Sequence, residues 1–453
     1  MDSEEKKKLP VNIWLVLLFA AYHLNMVACC IYSDSRLGWE GPLYYLKESA
    51  LFVGFFCFFV SRRIIKGMLP RRIVLVVATL GYSLGLLGVI FLNDPARIKL
   101  PAILAMFFLG YMGGAVYYYL SAGVFGHNFG GLILSIGLAI AVSIFHFSWV
   151  FLEKEAVMLV IMLLGAVAMT YIVIRPPRDW VFMDLLPYER DEKIQKENRN
   201  DLWGLVVVSI AIVLVLAKSD AIQLQNYAAI AEDVKASRLF AIPAYLLVGF
   251  FHDKKKRTVS EIMLLSSMLM LIWIPNNLGV SFAFIALSVF LQNYLVAWII
   301  LRFFALAPKT REPELWAGFS RIIMILDPIF GTFFLSLPPE DHNLAYIMGT
   351  VLTLIVTISV MLLMMNRYRR RFEEAMSEWD VTDEGEKKLL RIRADYGLTP
   401  RETDVFSVVL RMSGQSVSAM ADELGISRTM MYRYLNSISE KTGEPDREKW
   451  KEL

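Results

Sequence analysis

Along most of this chain apolar residues run on without the polar interruptions of a water-soluble helix or strand. Twelve apolar stretches, at about 11–31, 43–61, 73–93, 100–121, 130–150, 156–174, 202–219, 237–251, 260–275, 279–302, 314–337 and 344–366, have the length an α-helix needs to cross a hydrocarbon layer of ~30 Å. Each predicts a membrane-spanning helix. The first follows Lys6, Lys7 and Lys8 as a signal peptide would, but its apolar core is long and no cleavage site of small residues follows, so it is kept as a span. From 367 to 397 acids and bases take over, with apolar Phe372, Met376 and Trp379 and then Leu389, Leu390 and Ile392 at helical spacing. This is a juxtamembrane helical linker, read either as a solvated helix pinned by its arginines to anionic headgroups or as a short coiled coil that pairs two chains. From 398 to 453 the pattern is that of three or four short amphipathic helices.

Composition agrees: 56% of the 453 residues are hydrophobic and 20% charged, which excludes an ordinary soluble enzyme and a disordered protein. The cysteines, Cys29, Cys30 and Cys57, sit in apolar segments and cannot build a disulfide framework. A net charge of +3 says little, but its distribution sets the topology. Bases cluster at Arg62–Arg72, at Arg175–Arg199, at Lys254–Arg257, at Lys309 and Arg311, and at Arg367–Arg371. The alternate loops hold only Arg36, Arg97, Lys99, Lys154, Lys218, Lys235 and Arg238. The positive-inside rule then places both termini in the cytoplasm of a multi-pass inner-membrane protein. The spans divide six and six about Pro176–Asp201, giving halves 1–175 and 202–366 of a duplicated bundle covering 1–366.

At Gly249-Phe250-Phe251-His252-Asp253-Lys254-Lys255-Lys256-Arg257 the chain resembles the Gly-x-x-x-Asp-(Arg/Lys)-x-Gly-(Arg/Lys) loop of the major facilitator superfamily; the first-half loop, Ser61–Arg72, keeps the bases and lacks the acid. In that family the first, fourth, seventh and tenth spans line a central cavity. Ionisable and amide residues within spans are expensive and face the interior of a bundle. They comprise His23 and Asn25 on the first span, Lys47 and Glu48 on the second, His146 on the fifth, Gln292 and Asn293 on the tenth, and Arg321 and Asp327 on the eleventh. The resemblance gathers His23, Asn25, Gln292 and Asn293 around the pocket, with Tyr117, Tyr118 and Tyr119 at its cytoplasmic end, although a tyrosine run near a span end is more often an interfacial belt. Arg321 can instead snorkel, and Lys47 and Glu48, near the outer surface, can be solvated.

The C-terminal segment carries helix-turn-helix grammar. Thr399-Pro400-Arg401-Glu402 is a capping box with proline at the first helical position, after which Val405, Val408, Val409 and Met412 face a core and Gly414 ends the helix. Ser416 caps a second helix to about Glu423; Leu424-Gly425-Ile426 turns the chain into a third, capped by Ser427. On the third, Met431, Leu435 and Ile438 form the buried stripe, and Thr429, Tyr432, Arg433, Asn436 and Glu440 the opposite face. Arg and Asn are the residue types that read guanine and adenine edges bidentately. The segment also resembles the LuxR-type (GerE/FixJ-like) DNA-binding domain, through Leu398-Thr399-Pro400-Arg401-Glu402, through Gly414-x-Ser416-x-x-x-Met420-Ala421-x-x-Leu424-x-Ile426-Ser427, and through Tyr434-Leu435 and Lys441-x-Gly443. That similarity implies groove contacts from Tyr432, Arg433 and Asn436 and phosphate contacts from Ser416, Ser427 and Lys441; Arg428 and Thr429 complete the candidate set.

The expected fold is therefore all-α: a twelve-helix transmembrane bundle, facilitator-like, followed by a small cytoplasmic four-helix helix-turn-helix domain. The expected function is a membrane-bound one-component transcriptional regulator whose bundle senses a small-molecule ligand, a layout similar to that of membrane-spanning LuxR-type regulators. Its partners are double-stranded DNA, membrane lipid, the ligand, and a second copy paired through the linker or the C-terminal domain. The alternative is a transporter with a DNA-binding tail. No metal-ligand cluster, nucleotide loop or catalytic triad is visible, so no cofactor and no enzymatic activity are expected.

Overall fold

The computed structural model describes residues 3–37, 42–92, 94–124, 129–148, 155–175, 192–225, 236–254, 257–277, 281–310, 312–335, 350–359 (352 apart), 392–412 (394 apart), 416–424, 426, 428–444 and 449–451. All regular structure among these residues is helical. The chain divides into two compact units, Met1–Met361 and Leu362–Leu453. The linker expected at 367–397 falls outside the described residues up to 391, as do Gly414, Gly425 and most of the loop 176–201.

The first unit comprises α1 (Ser3–Leu37), α2 (Pro42–Ile64), α3 (Met68–Phe91), α4 (Pro95–Val124), α5 (Gly130–Phe147), α6 (Glu155–Ile174), α7 (Glu192–Gln225), α8 (Ala241–Asp253), α9 (Arg257–Asn277), α10 (Phe282–Leu306), α11 (Pro313–Ile322) and α12 (Leu326–Leu335). Eight stretches, counted over the described residues, are long and apolar enough to cross a membrane: α1, α3, α4, α5, α6, α7, α10 and the continuous run of α11 and α12. That is fewer than the twelve expected. Of the remaining expected spans, α2 carries Lys47 and Glu48 near its start and Arg62 and Arg63 at its end, α8 has 13 residues, α9 has an apolar core of Val259–Ile272, and the twelfth is described only over 350–359.

The helices are apolar on both faces. On α3, Leu75, Tyr82, Leu86 and Val89 are buried, while Ile73, Val76, Val77, Leu80 and Leu84 point outward at helical spacing. In water that outward stripe would be unfavourable by roughly 1.5–3 kcal/mol per side chain, and in lipid it is matched. This is a multi-pass membrane protein whose outer surface contacts lipid.

The eleventh expected span is one apolar run but two helices. Pro328 lacks an N–H and its ring crowds the carbonyl four residues back, at Met324, and there the chain tightens into the 3₁₀ turn Ile323–Ile325 between α11 and α12. Arg321 thus falls in the last turn of α11 and Asp327 in the first turn of α12, each matching the partial charge of its helix end.

Packing repeats with a shift of six spans. α1 packs on α4 and α5 as α7 packs on α10 and α12, and α2 and α3 pack on α4 as α8 and α9 pack on α10. The halves join through α5 with α8 and, in the mirrored pairing, α11 with α2. At the first joint Gly131 and Gly249 allow backbone contact, since a Cβ on Gly249 would lie 2.7 Å from the Gly131 carbonyl oxygen and one on Gly131 would lie 2.9 Å from that of Gly249. There Asp253 accepts from the backbone N–H of Gly131 and of Leu132, both at 2.7 Å, and so caps the start of α5. At the second joint Arg63 forms an ion pair with Glu312, the residue preceding α11. The acid missing from the first-half loop is supplied from across the joint.

In the second unit α13 (Pro400–Arg411), α14 (Val417–Glu423) and α15 (Arg428–Thr442) surround a core of Val405, Phe406, Val409, Met420, Ala421, Met431, Leu435 and Ile438, closed by Trp450 stacked 5.3 Å from Phe406. The expected fourth helix is represented among the described residues by the 3₁₀ turn Lys449–Lys451. The capping box is present: the Glu402 N–H donates to the Thr399 hydroxyl at 3.3 Å, and Glu402 Oε2 accepts from the Thr399 N–H at 2.6 Å.

Candidate functional site

The polar residues of the first unit gather in three places. At the centre, Arg321 is only 8% exposed and His23 only 4%. The Arg321 guanidinium donates from Nε to the Tyr117 hydroxyl at 2.8 Å, and its Nη2 lies 2.7 Å from His23 Nε2. Arginine only donates, so Nε2 accepts, the ring proton is assigned to Nδ1, and His23 is neutral. Aromatic rings close round this contact: Tyr117 lies edge-on to Tyr22 at 5.5 Å, to Phe55 at 5.2 Å and to Phe304 at 5.0 Å. The three helices that meet here are the first, fourth and eleventh of the expected spans, so residues 298 positions apart share a hydrogen bond.

A second group lies between α7, α10 and α12. Gln292 donates to Asp220 at 2.6 Å and to the Ser219 hydroxyl at 3.2 Å. Asp327 has a buried Oδ1 with no hydrogen-bond partner. Lys218 is buried and donates to Thr350 at 2.7 Å. Here the structure corrects the sequence reading, which put Lys218 in an external loop; α7 continues past it to Gln225. Asp220 was missed for the same reason, although an acid beside an apolar run was a usable signal.

The third group joins α1 and α2. Lys47 is 1% exposed, donates to the Cys30 carbonyl at 3.4 Å and lies 4.0 Å from Glu48, which accepts from the Cys30 thiol at 3.4 Å. Lys47 is therefore enclosed rather than solvated. The remaining candidates go elsewhere. Asn25 donates to the Ala21 carbonyl and accepts from Tyr82, at 2.9 and 2.7 Å, on the side of α1 away from His23, because residues two apart lie about 200° round a helix. Asn293 turns from its neighbour Gln292 to accept from Tyr245 on α8. His146 sits half-buried in the last turn of α5 with no partner for Nδ1. Tyr117, Tyr118 and Tyr119 are all buried, so they form no interfacial belt; Tyr118 lies under the Arg62 guanidinium at 4.7 Å.

The major facilitator superfamily transporter FucP, in its outward conformation, superposes with a TM-score of 0.50 at 11% identity, over 78% of this chain and 98% of that one. The membrane unit has a major facilitator-like fold. The human organic anion transporter MFSD10 (TETRAN) gives a TM-score of 0.47 at 12% identity, over 80% of this chain and 100% of that one. No protein-family model and no curated protein sequence matches this chain. Within the facilitator-like fold, the first and fourth spans supply His23 and Tyr117 to the central cluster, and the eleventh rather than the tenth supplies its cation.

In the second unit the face of α15 opposite the core is open. Arg428, Thr429, Arg433 and Asn436 are exposed there, and Tyr432 is 54% exposed. Ser416 is occupied locally, its hydroxyl accepting from the Ala419 N–H at 3.3 Å. Lys441 is held by Glu402 at 2.7 Å and by the Gly397 carbonyl at 3.2 Å, so its ammonium ties α15 to the start of α13. Ser427 lies outside the described residues.

Proposed function

We propose that the chain is a facilitator-type membrane carrier of a small molecule that bears a C-terminal DNA-binding regulatory tail. The observation that carries this reading is the Arg321–His23–Tyr117 cluster, sealed between the two halves of a facilitator-like bundle, where a moving pair of halves would expose it in turn to each side. The reading is non-catalytic and needs no cofactor. It places the chain in the inner membrane with both termini cytoplasmic, in line with the basic loops. Uptake into proteoliposomes by the purified full-length protein tests it. Accumulation or equilibration of a solute that also binds saturably is expected, and saturable binding without flux would overturn carriage.

The second reading, a one-component regulator in which the bundle only senses, is favoured by the exposed polar face of α15 over a filled apolar core. Its DNA partner would be met by Tyr432, Arg433 and Asn436, and pairing of two chains through the tail or the linker would raise effective concentration. Genome-wide occupancy of the tagged protein beside Arg433→Ala/Asn436→Ala tests the tail in both readings. Discrete peaks that vanish in the variant are expected; occupancy unchanged by the double substitution would sink the DNA-binding assignment.

A further inference from the structure

Arg321 is a buried cation whose partners are neutral. Among the described residues its hydrogen bonds go to the Tyr117 hydroxyl and to a neutral His23, and no carboxylate forms an ion pair with it. Of the bundle's acids, Asp220 is hydrogen-bonded by Gln292, Glu48 lies 4.0 Å from Lys47, and Asp327 is buried with its Oδ1 unpartnered. An unpaired guanidinium sealed from water is costly, because neutral hydrogen bonds replace only part of its hydration. Beside it stands a second donor: the Tyr22 hydroxyl is buried with no partner, on a ring centred 5.5 Å from that of Tyr117 and 5.7 Å from that of His23.

We propose that Arg321 and Tyr22 form an anion site whose ligand is a small carboxylate with an apolar body. This rests on the reading of the bundle as one that binds a small molecule. One guanidinium and one phenol supply a single positive charge and donors for two acceptor oxygens, the complement of a carboxylate; a phosphate would bring a second charge with nothing to balance it. The apolar body fits the rings of Phe19, Phe55 and Phe304 that surround Tyr117.

The test uses the full-length protein in detergent micelles, melted by tryptophan fluorescence at matched ionic strength with benzoate, hexanoate, their primary amides, or chloride. Both carboxylates, or benzoate alone, should raise the melting temperature saturably, while the amides and chloride do not. Arg321→Gln should abolish the shift, Arg321→Lys should weaken affinity about tenfold because an ammonium cannot keep the Tyr117 and His23 bonds and reach the ligand in the guanidinium's planar geometry, and Tyr22→Phe should weaken it several-fold. If Arg321→Gln does not elute as a single species, Arg321→Lys and Tyr22→Phe carry the test. Equal stabilisation by carboxylate and amide, equal stabilisation by chloride, undiminished binding to the Arg321 variants, or no shift with either carboxylate would each overturn the proposal. Charge-blind binding would leave the carrier reading standing, whereas charge-selective binding without uptake would remove carriage and leave the anion site.

Discussion

At Glu402 three donors converge on one carboxylate: the Thr399 N–H at 2.6 Å, the Ser437 hydroxyl at 2.6 Å and the Lys441 ammonium at 2.7 Å. Burial alone would push this carboxyl up, but the hydrogen bonds from Lys441, Ser437 and Thr399 outweigh it and hold the group at about 2 against an ordinary value of 4.5. A depressed folded-state value means that the stabilisation is complete above about pH 4.5 and is lost as the pH falls toward 2. Amide hydrogen exchange in α13 and α15 of the full-length protein, corrected for intrinsic rates, should therefore accelerate as the pH falls through that window. Glu402→Gln should bring the acid-like protection to neutral pH, a loss of about 2 kcal/mol, and make it insensitive to acid; unchanged protection in the variant would contradict the assignment. This part of the chain was legible because a capping box is a four-residue pattern. What the pattern could not tell was that Lys441 belongs to the same carboxylate, 39 residues away.

At the scale of the element, the joint of α5 with α8 rests on absent side chains. Gly249→Ala would drive a methyl into the Ser135 hydroxyl and to 2.7 Å from the Gly131 carbonyl, so the helices must separate and Asp253 must draw back from the start of α5. A loss of about 1–3 kcal/mol is expected, read as a lower melting temperature in micelles, with Gly67→Ala as the comparison, since Gly67 has only the Pro70 ring near it but takes a positive φ of 95°. An unchanged melting temperature in Gly249→Ala would show that the close approach is not what limits the joint. The sequence predicted a helix here without predicting its partner. Membrane helices are apolar toward lipid and toward protein alike, so hydrophobic periodicity cannot say which face meets a neighbour.

Across the whole molecule, the two halves are held at two equivalent joints by unlike chemistry. Asp253 receives two backbone N–H groups at a helix start, whereas the Arg63–Glu312 pair has side chains 52% and 35% exposed. Caps of the first kind contribute about 0.5–2 kcal/mol and exposed ion pairs about 0–1 kcal/mol, so the α5–α8 joint should be the stronger latch. Asp253→Ala is expected to lower the melting temperature of the full-length protein more than Arg63→Ala, and only the Arg63 effect should shrink at high salt. Equal effects, or salt sensitivity at Asp253, would mean that the joints are not so divided. The facilitator-like resemblance was drawn from the Asp253 loop, and the geometry gives that acid a physical task at the joint between halves.

Sequence by itself determined what depends on short stretches of chain: that the protein is helical, that its apolar runs belong in lipid, and that Met431, Leu435 and Ile438 share a buried stripe on α15; the break at Pro328 that divides the eleventh run into two helices came from the structure. Tertiary structure alone decided which polar residues meet. His23 and Asn25 lie two residues apart and part company, while His23 and Arg321 lie 298 apart and touch. The reason is physical: hydropathy and periodicity are properties of neighbours along the chain, but a buried charge is satisfied by whichever groups packing brings within 3 Å, and in a bundle apolar on every face nothing local announces which groups those are.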